Sequence, residues 1–251
     1  MKYRKILILL IVFVSIFIIY ILNIDKKINY VALGDSLALG QNPYGEMGYG
    51  YADFVANYLE KNNLLKFYTK KFSKSGARIN DLMSDLKDNK QLTIDNKVHS
   101  LKVVLNNADL VTISIGANDF LSTINFKDID LEFFDDNNLS SKLNKIYSDL
   151  DGLLKEIRKY AHENIVIIGY YNPLPRSTIL FSNKIDQLFA SVNQQYQKIC
   201  DKYNVMYIDI YNLFKNNIDY LPNPIDIHPN NQGYEAISRK IIDILEQKIL
   251  N

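Results

Sequence analysis

The feature that most constrains the fold is an alternation of short apolar runs with longer amphipathic segments, from Ile28 towards the C-terminus. The pattern predicts strands near 28–34, 65–72, 109–115, 165–169 and 204–209, and helices near 50–62, 78–88, 94–106, 139–162, 182–203 and 231–249. Such alternation is typical of a parallel sheet with right-handed connections and helices on both faces. We therefore predict a three-layer α/β/α fold with a central, mainly parallel sheet of about five strands.

The N-terminus has a different character. Lys2, Arg4 and Lys5 precede the nineteen uncharged residues Ile6 to Ile24, which are almost all Ile, Leu, Val or Phe. As a helix this run would span ~28 Å, close to the ~30 Å of a bilayer's hydrocarbon core. A cleaved signal peptide is the competing interpretation, but from Ile16 to Val31 there is no Ala, Gly, Ser or Cys for a cleavage site.

We interpret residues 1–24 as an uncleaved, single-pass membrane anchor with a short basic tail, and residues 25–251 as one folded domain. Basic residues before an apolar helix favour a cytoplasmic N-terminus, although Lys26 and Lys27 on the other side weaken that preference. The expected location is therefore the cell membrane, with the folded domain outside the cytoplasm.

Composition excludes several classes of function. Residues 25–251 carry 26 Lys and Arg against 28 Asp and Glu, so nothing indicates nucleic-acid binding. No Cys and His cluster has metal-ligand spacing, and no Gly-rich loop leads into Lys-Ser or Lys-Thr. The single cysteine, Cys200, is interpreted as a small buried hydrophobe. We predict no metal or organic cofactor, and the sequence names no protein partner.

Four loops hold the candidate site residues. The strand ending at Gly34 is followed by Asp35-Ser36-Leu37, which would present Ser36 at the strand's end. A serine there is a candidate nucleophile if a base and an oxyanion site lie nearby. Ser75-Gly76-Ala77-Arg78 and Gly116-Ala117-Asn118-Asp119 follow two further strands, and Asp226-Ile227-His228-Pro229-Asn230 precedes the last helix.

Among the three histidines, His228 is the best candidate for the base. His99 lies in a stretch predicted to be helical, and His162 lies at the polar end of a long helix, where a surface or capping role is expected. His228 lies in a loop with a carboxylate two residues before it.

These four loops resemble the ordered sequence blocks of the GDSL, or SGNH, hydrolase family, over about residues 28–245. The resemblance implies the flavodoxin-like fold of that family, with Ser36 as nucleophile and His228 as general base. It also implies an oxyanion hole made by the N–H groups of Ser36 and Gly76 and by the side-chain amide of Asn118. Such donors stabilise the negative charge of the tetrahedral intermediate.

One position departs from the family pattern. The family places its acidic residue three positions before the histidine, where this chain has Ile225. Asp226, two before, is the nearest carboxylate, and we predict that it orients the imidazole of His228. If its carboxylate points elsewhere, a backbone carbonyl would hold the imidazole and the site would work as a dyad.

The resemblance implies an ester hydrolase that works through an acyl-enzyme. The predicted substrates are lipid acyl esters, as for a lipase or lysophospholipase; the family's thioesterases leave a thioester open as well. The alternative is a carbohydrate O-acetylesterase acting on cell-wall or surface polysaccharide. From another class, the rival is a non-catalytic binding module at the cell surface. The sequence leaves the oligomeric state open.

Two segments are expected to shape specificity. Leu121 to Asn138 is an irregular, acidic insertion with three phenylalanines, and it would be a lid, an acyl-binding wall or a plain surface excursion. Tyr170-Tyr171-Asn172-Pro173-Leu174-Pro175 follows the fourth predicted strand and should border the cleft. Its tyrosines could stack on a sugar or pack against an acyl chain, and the sequence does not choose.

Overall fold

A computed structural model describes residues 27–123, 137–173, 175 and 182–250. Within these residues the strands are β1 Ile28–Gly34, β2 Leu65–Thr69, β3 Gln91–Ile94, β4 Lys97–Ser100, β5 Leu110–Ser114, β6 Asn164–Ile168 and β7 Met206–Ile208. The helices are α1 Ser36–Leu39, α2 Tyr51–Lys61, α3 Ile79–Lys87, α4 Leu101–Asn106, α5 Ala117–Leu121, α6 Asn137–Ile157, α7 Ser182–Lys202, α8 Tyr211–Lys215 and α9 Asn231–Lys248, with a 3₁₀ turn at Ile218–Tyr220.

The central sheet has five strands in the order β2-β1-β5-β6-β7, and every pairing in it is parallel. This confirms the predicted α/β fold and its five-stranded parallel sheet. The chain runs from β1 outwards to β2 and later returns to the other side of β1 with β5. The strand order therefore reverses between β1 and β5, which is the place where open α/β sheets bind ligands at their carboxyl ends.

Alternate residues of each strand face opposite sides of the sheet and divide the core in two. Val31 and Leu33 of β1 pack in the cluster that includes buried residues of α3, α4, α6 and α7. Tyr30 and Ala32 pack in the second cluster, with α1, α2, α8 and α9. Helices thus cover both faces, as the near-continuous apolar strands predict.

The predicted helix near 94–106 is wrong in its first part. β3 and β4 form an antiparallel hairpin, and the helix comprises Leu101–Asn106. The hairpin turns at Asp95 and Asn96, which both have positive φ angles, 48° and 61°. Two such residues match the twist of a hairpin, and Asp and Asn tolerate the left-handed conformation. His99 therefore lies on a strand and not on a helix.

Two predictions fall wholly or largely outside the described residues: the membrane anchor at residues 1–24, and the insertion between Leu121 and Asn138, of which 124–136 are not described. In the portion of the chain that the structure does describe, none of the helices has the length and apolar character needed to cross a bilayer.

Candidate active site

A sharp turn at the end of β1 presents the candidate nucleophile. Gly34 has a φ of +130°, and a Cβ atom there would lie 1.9 Å from the carbonyl oxygen of Ser114 on the neighbouring strand β5. The N–H of Asp35 donates to that same oxygen at 2.9 Å, so the backbone passes close to the end of β5 before α1 begins. Only glycine fits this approach, and it leaves Ser36 as the first residue of α1.

The carboxylate of Asp35 fixes the start of α1. It accepts a hydrogen bond from the N–H of Leu37 at 3.1 Å, as an N-cap, and another from the hydroxyl of Ser114 at 3.1 Å. Asp35 is only 1% exposed. Burial raises the pKa of its carboxyl to about 7, against the lowering effect of these hydrogen bonds.

The predicted nucleophile, base and acid form one hydrogen-bonded chain. The Nε2 atom of His228 lies 2.7 Å from the Oγ of Ser36, and its Nδ1 lies 2.7 Å from the Oδ1 of Asp226. Ser36 and His228 are buried and Asp226 is partly buried. With Nδ1–H donating to the carboxylate, the Nε2 lone pair faces the serine hydroxyl, which is the tautomer that a general base needs.

The loop that carries His228 is held at several points. The hydroxyl of Tyr171 donates to the carbonyl of Ile227 at 2.6 Å. The side chain of Asn230 accepts from the N–H of Gly233 at 3.0 Å and so caps α9. These bonds fix the backbone on both sides of His228, so its imidazole has little freedom to leave the serine.

The predicted oxyanion residues lie on the loop after β2, which holds Gly76, and in the first turn of α5, which holds Asn118. The N–H of Lys74 donates to the carbonyl of Gly34 at 3.0 Å, which places the loop of Gly76 beside the nucleophile turn. Gly76 has a φ of +75°, and a Cβ there would meet no atom within 4 Å, so its surroundings are open. The Nδ2 of Asn118 donates to the carbonyl of Ala77 at 3.0 Å, using one of the amide's two N–H groups.

The structure therefore brings Ser36, His228 and Asp226 into direct contact, and it joins the start of α5, which carries Asn118, to the loop of Gly76. The other histidines lie elsewhere. His99 stacks on Phe67 at 5.5 Å between ring centroids, and His162 is exposed after the end of α6.

The supporting contacts of three residues were not predicted from the sequence: those of Ser114, of Asp119 in the Asn118 block, and of Tyr171, which was expected only to border the cleft. Ser114 and Tyr171 act as described above, and the Oδ2 of Asp119 accepts from the N–H of Ile79 at 3.0 Å at the start of α3. The position of Asp119 beside Asn118, at the entry to a helix, was an available signal. The contacts of Ser114 and Tyr171 join residues 79 and 56 positions apart, so no local pattern could have revealed them.

The tyrosines that follow β6 are not stacking platforms for a sugar. Tyr170 and Tyr171 are 8% and 7% exposed. The hydroxyl of Tyr170 donates to the carbonyl of Ile115 at 3.1 Å and is also bonded to Tyr196. Both rings are therefore parts of the wall of the cleft. Among the described residues, no group of three or more His, Cys, Asp or Glu side chains is placed to hold a metal ion.

A serine bonded to an imidazole that is held by a carboxylate, at the carboxyl edge of a parallel sheet, is the arrangement of an α/β serine hydrolase. The model of the GDSL-like lipase/acylhydrolase family matches residues 32–236, so the chain belongs to that family. It is an ester hydrolase, and the alternative of a non-catalytic binding module is not supported.

Known proteins resemble the chain over most of its length. The spore germination lipase LipC of Bacillus licheniformis is 27% identical over 223 residues, which cover 85% of this chain and 94% of LipC. The lipase Lip_vut3 from a goat rumen metagenome has a TM-score of 0.65 at 21% identity, covering 85% of this chain and 95% of its own. Axe2, an acetylxylan esterase of Geobacillus stearothermophilus, has a TM-score of 0.59 at 17% identity, covering 88% and 94%. The two solved structures share the fold.

Proposed function

We propose that the protein is a membrane-anchored, extracytoplasmic serine ester hydrolase that acts on lipid acyl esters through an acyl-enzyme. The observation that carries the catalytic part is the chain of two 2.7 Å contacts from Ser36 through His228 to Asp226. A serine hydroxyl is a weak nucleophile at neutral pH, and this arrangement gives it a base and gives the base an orienting carboxylate.

In the proposed reaction the Oγ of Ser36 attacks the ester carbonyl carbon while its proton passes to the Nε2 of His228. The N–H groups of Ser36 and Gly76 and the amide of Asn118 stabilise the oxyanion of the tetrahedral intermediate. His228 then gives its proton to the departing alcohol oxygen, which leaves an acyl group on Ser36. Water attacks this acyl-enzyme by the same steps, with His228 as base, and releases the carboxylic acid.

Exposed apolar side chains beside the site support a lipid substrate. Tyr44 and Met47 lie on the loop after α1, and Ile225 lies on the loop of His228, with 74%, 55% and 89% of their surfaces exposed. The side chain of Asn223 donates to the carbonyl of Pro43 at 2.8 Å and joins the two loops. Exposed apolar residues on two joined loops offer a surface to apolar material, and LipC, the similar Bacillus protein, is a lipase.

A carbohydrate O-acetylesterase is the second candidate. The exposed ring of Tyr44 is of the kind that stacks on a sugar, and Axe2, which has the same fold, is an acetylxylan esterase. The two candidates differ in the acyl group: a lipid ester carries a long chain, whereas an acetyl group fills only the space next to Ser36.

The anchoring part of the proposal rests on the sequence. Nineteen uncharged, mostly aliphatic residues from Ile6 to Ile24 follow three basic residues, and no small residue for cleavage follows before Ala32. We place the domain outside the cytoplasm because the basic residues precede the apolar run.

A serine-reactive fluorophosphonate tests the catalytic part. The full-length protein should be labelled, the Ser36→Ala variant should not, and Ser140→Ala, which removes an exposed hydroxyl on α6, should be labelled as the parent is. The same three proteins are then given phospholipid vesicles and acetylated xylan. Release of fatty acid supports the lipid candidate, whereas release of acetate alone supports the second one.

A further inference from the structure

An apolar pocket opens beside Ser36, at the carboxyl ends of β5 and β6. Leu37, next to the nucleophile, and Ile227, next to the base, both line it. Ala117 and Leu121, at the two ends of α5, form another part of its wall. Residues directly beside the nucleophile and the base therefore form part of the pocket wall.

The inner end of the pocket is aromatic and closed. Phe120 and Phe189 line it and are 2% and 1% exposed, with their ring centroids 5.4 Å apart. Phe120 stacks on Tyr170 at 6.2 Å, and Phe189 stacks on Tyr211 at 5.7 Å. Tyr211 backs Phe189, and Phe120 packs against Phe189 and against Tyr170, which also lines the pocket. These packed rings form a firm floor that a ligand cannot easily displace.

The polar groups in the pocket wall already have partners. The hydroxyls of Tyr170 and Tyr171 donate to the carbonyls of Ile115 and Ile227. The carboxyl of Asp35 accepts from the backbone and from a serine hydroxyl. A sugar buried here would lose hydrogen bonds to water without replacing them, which is costly, whereas a hydrocarbon chain would lose nothing.

The order of events in an acyl-enzyme reaction decides which half of an ester fits. The alcohol must leave as soon as the acyl group is on Ser36, so it needs an open route to solvent. The acyl group stays covalently bound until water attacks, so it can lie in a pocket with a closed inner end. The closed, apolar pocket suits the acyl half.

We propose that this pocket holds the acyl chain of the substrate and that Phe120 and Phe189 set the longest chain it accepts. The inference rests on the proposed hydrolysis at Ser36 and adds a preference within it: acyl groups longer than acetyl, up to the length that reaches the floor. Each methylene that leaves water for the pocket raises kcat/KM by up to ~4-fold, and the gain stops where the chain meets the two rings.

The experiment measures kcat/KM of the full-length protein, in one nonionic detergent, for p-nitrophenyl esters from acetyl to palmitoyl. We expect a maximum at an intermediate chain length, at least about tenfold above the acetyl ester given this gain per methylene. Phe189→Leu removes ring atoms from the floor and should move the maximum to longer chains. Leu121→Trp adds bulk to the wall and should move it to shorter ones. Phe67→Leu, on the far edge strand β2, is the control and should leave the profile unchanged.

Two opposite shifts from two parts of one pocket would support the assignment. Leu121 is partly exposed at the end of α5, so its variant keeps the test decisive if Phe189→Leu fails to fold. Robust turnover with a maximum at acetyl, or a profile that neither variant changes, overturns the inference but leaves the ester hydrolase standing. Loss of fluorophosphonate labelling in the parent would instead contradict the proposed function itself.

Discussion

The Oδ1 atom of Asp226 accepts two hydrogen bonds from His228, one from its backbone N–H at 2.8 Å and one from its ring Nδ1 at 2.7 Å. A carboxylate only two residues before the histidine therefore reaches the imidazole by folding back over the intervening residue. Ile225, at the position where the family carries its acid, is 89% exposed. The acid can therefore lie one residue closer to the histidine in the sequence and still reach the imidazole.

Asp226→Asn should lower kcat by about 10²–10⁴-fold, less than the ~10⁶-fold expected for loss of Ser36 or His228. The amide preserves the shape of the turn but removes the charge that stabilises the imidazolium. Steady-state kinetics on a soluble ester measures the effect, with Asp243→Asn on the exposed side of α9 as the matched control. Unchanged turnover in Asp226→Asn would remove this residue from the triad and leave a dyad.

His228→Ala should abolish turnover nearly as completely as Ser36→Ala, and the double variant should lose little more, because the two groups act as one unit. His99→Ala and His162→Ala should remain within a few-fold of the parent, since neither contacts the serine. The five variants are compared by kcat on one ester, and an inactive His99→Ala or His162→Ala variant would show that the assignment of His228 is wrong.

Gly34→Ala should destabilise the protein by more than ~3 kcal/mol. Its φ is +130°, and the added Cβ would lie 1.9 Å from the carbonyl oxygen of Ser114. Gly45→Ala is the control: its φ is +84°, but the space around it is open, so it should cost only ~1–2 kcal/mol. Urea unfolding of the two variants compares the costs, and equal losses would contradict the close approach of β1 and β5.

Asp35 should make stability fall as the pH rises towards neutrality. Its pKa is raised to about 7 in the folded protein, from an ordinary value of 3.8, chiefly by burial. Between these two values the folded state keeps a proton that the unfolded state has lost. Stability therefore falls as the pH rises through this window, by at most ~1.4 kcal/mol per pH unit.

The variant Asp35→Asn isolates this effect because it cannot titrate and still offers an oxygen to Leu37. Relative to the parent, its free energy of unfolding should increase between pH 5 and pH 7 and then level off. Urea unfolding at pH 5, 6, 7 and 8 gives the difference at each pH. A difference that stays constant over this range would show that Asp35 is not protonated in the folded state.

The proposed anchor predicts that the full-length protein sediments with membranes at its full length, and that protease added to intact protoplasts digests the domain. A variant lacking residues 1–24 should stay in the soluble fraction. Immunoblots of both fractions follow the two forms. Recovery from the medium of a protein that begins near residue 25 would show that the segment is cleaved.

The strands of the central sheet and most long helices were predictable because the pattern that indicates each one lies in consecutive residues. The strands of the central sheet follow from continuous apolar runs, and α2, α3, α7 and α9 follow from helical spacing, with ends within one or two residues of the prediction. The hairpin β3–β4 was missed because its apolar residues also fit a helical period. The decisive signal was the pair Asp95 and Asn96, which favours a two-residue turn.

The residues of the candidate site were likewise predictable only in part. The positions of Ser36, Gly76, Asn118 and His228 were predictable because each stands in a short sequence block that follows a strand or precedes a helix. The aromatic floor was not, because Phe120 and Phe189 lie 69 positions apart and look like ordinary helical core residues. Only the packing of α5 against α7 shows that the two rings close one pocket.

The direction of β1 decides which side of the domain faces a chain segment that precedes Ile28. The strand enters the sheet at Ile28 and delivers Ser36 beyond its other end, ~20 Å away at ~3.3 Å per residue. Because all five central strands run the same way, the whole catalytic edge lies opposite the point at which the chain arrives. The proposed anchor before Ile28 would therefore attach the domain on the side opposite the active site, with the cleft facing away from the membrane. Such an enzyme would intercept esters that approach the cell, in preference to those in the leaflet that holds it.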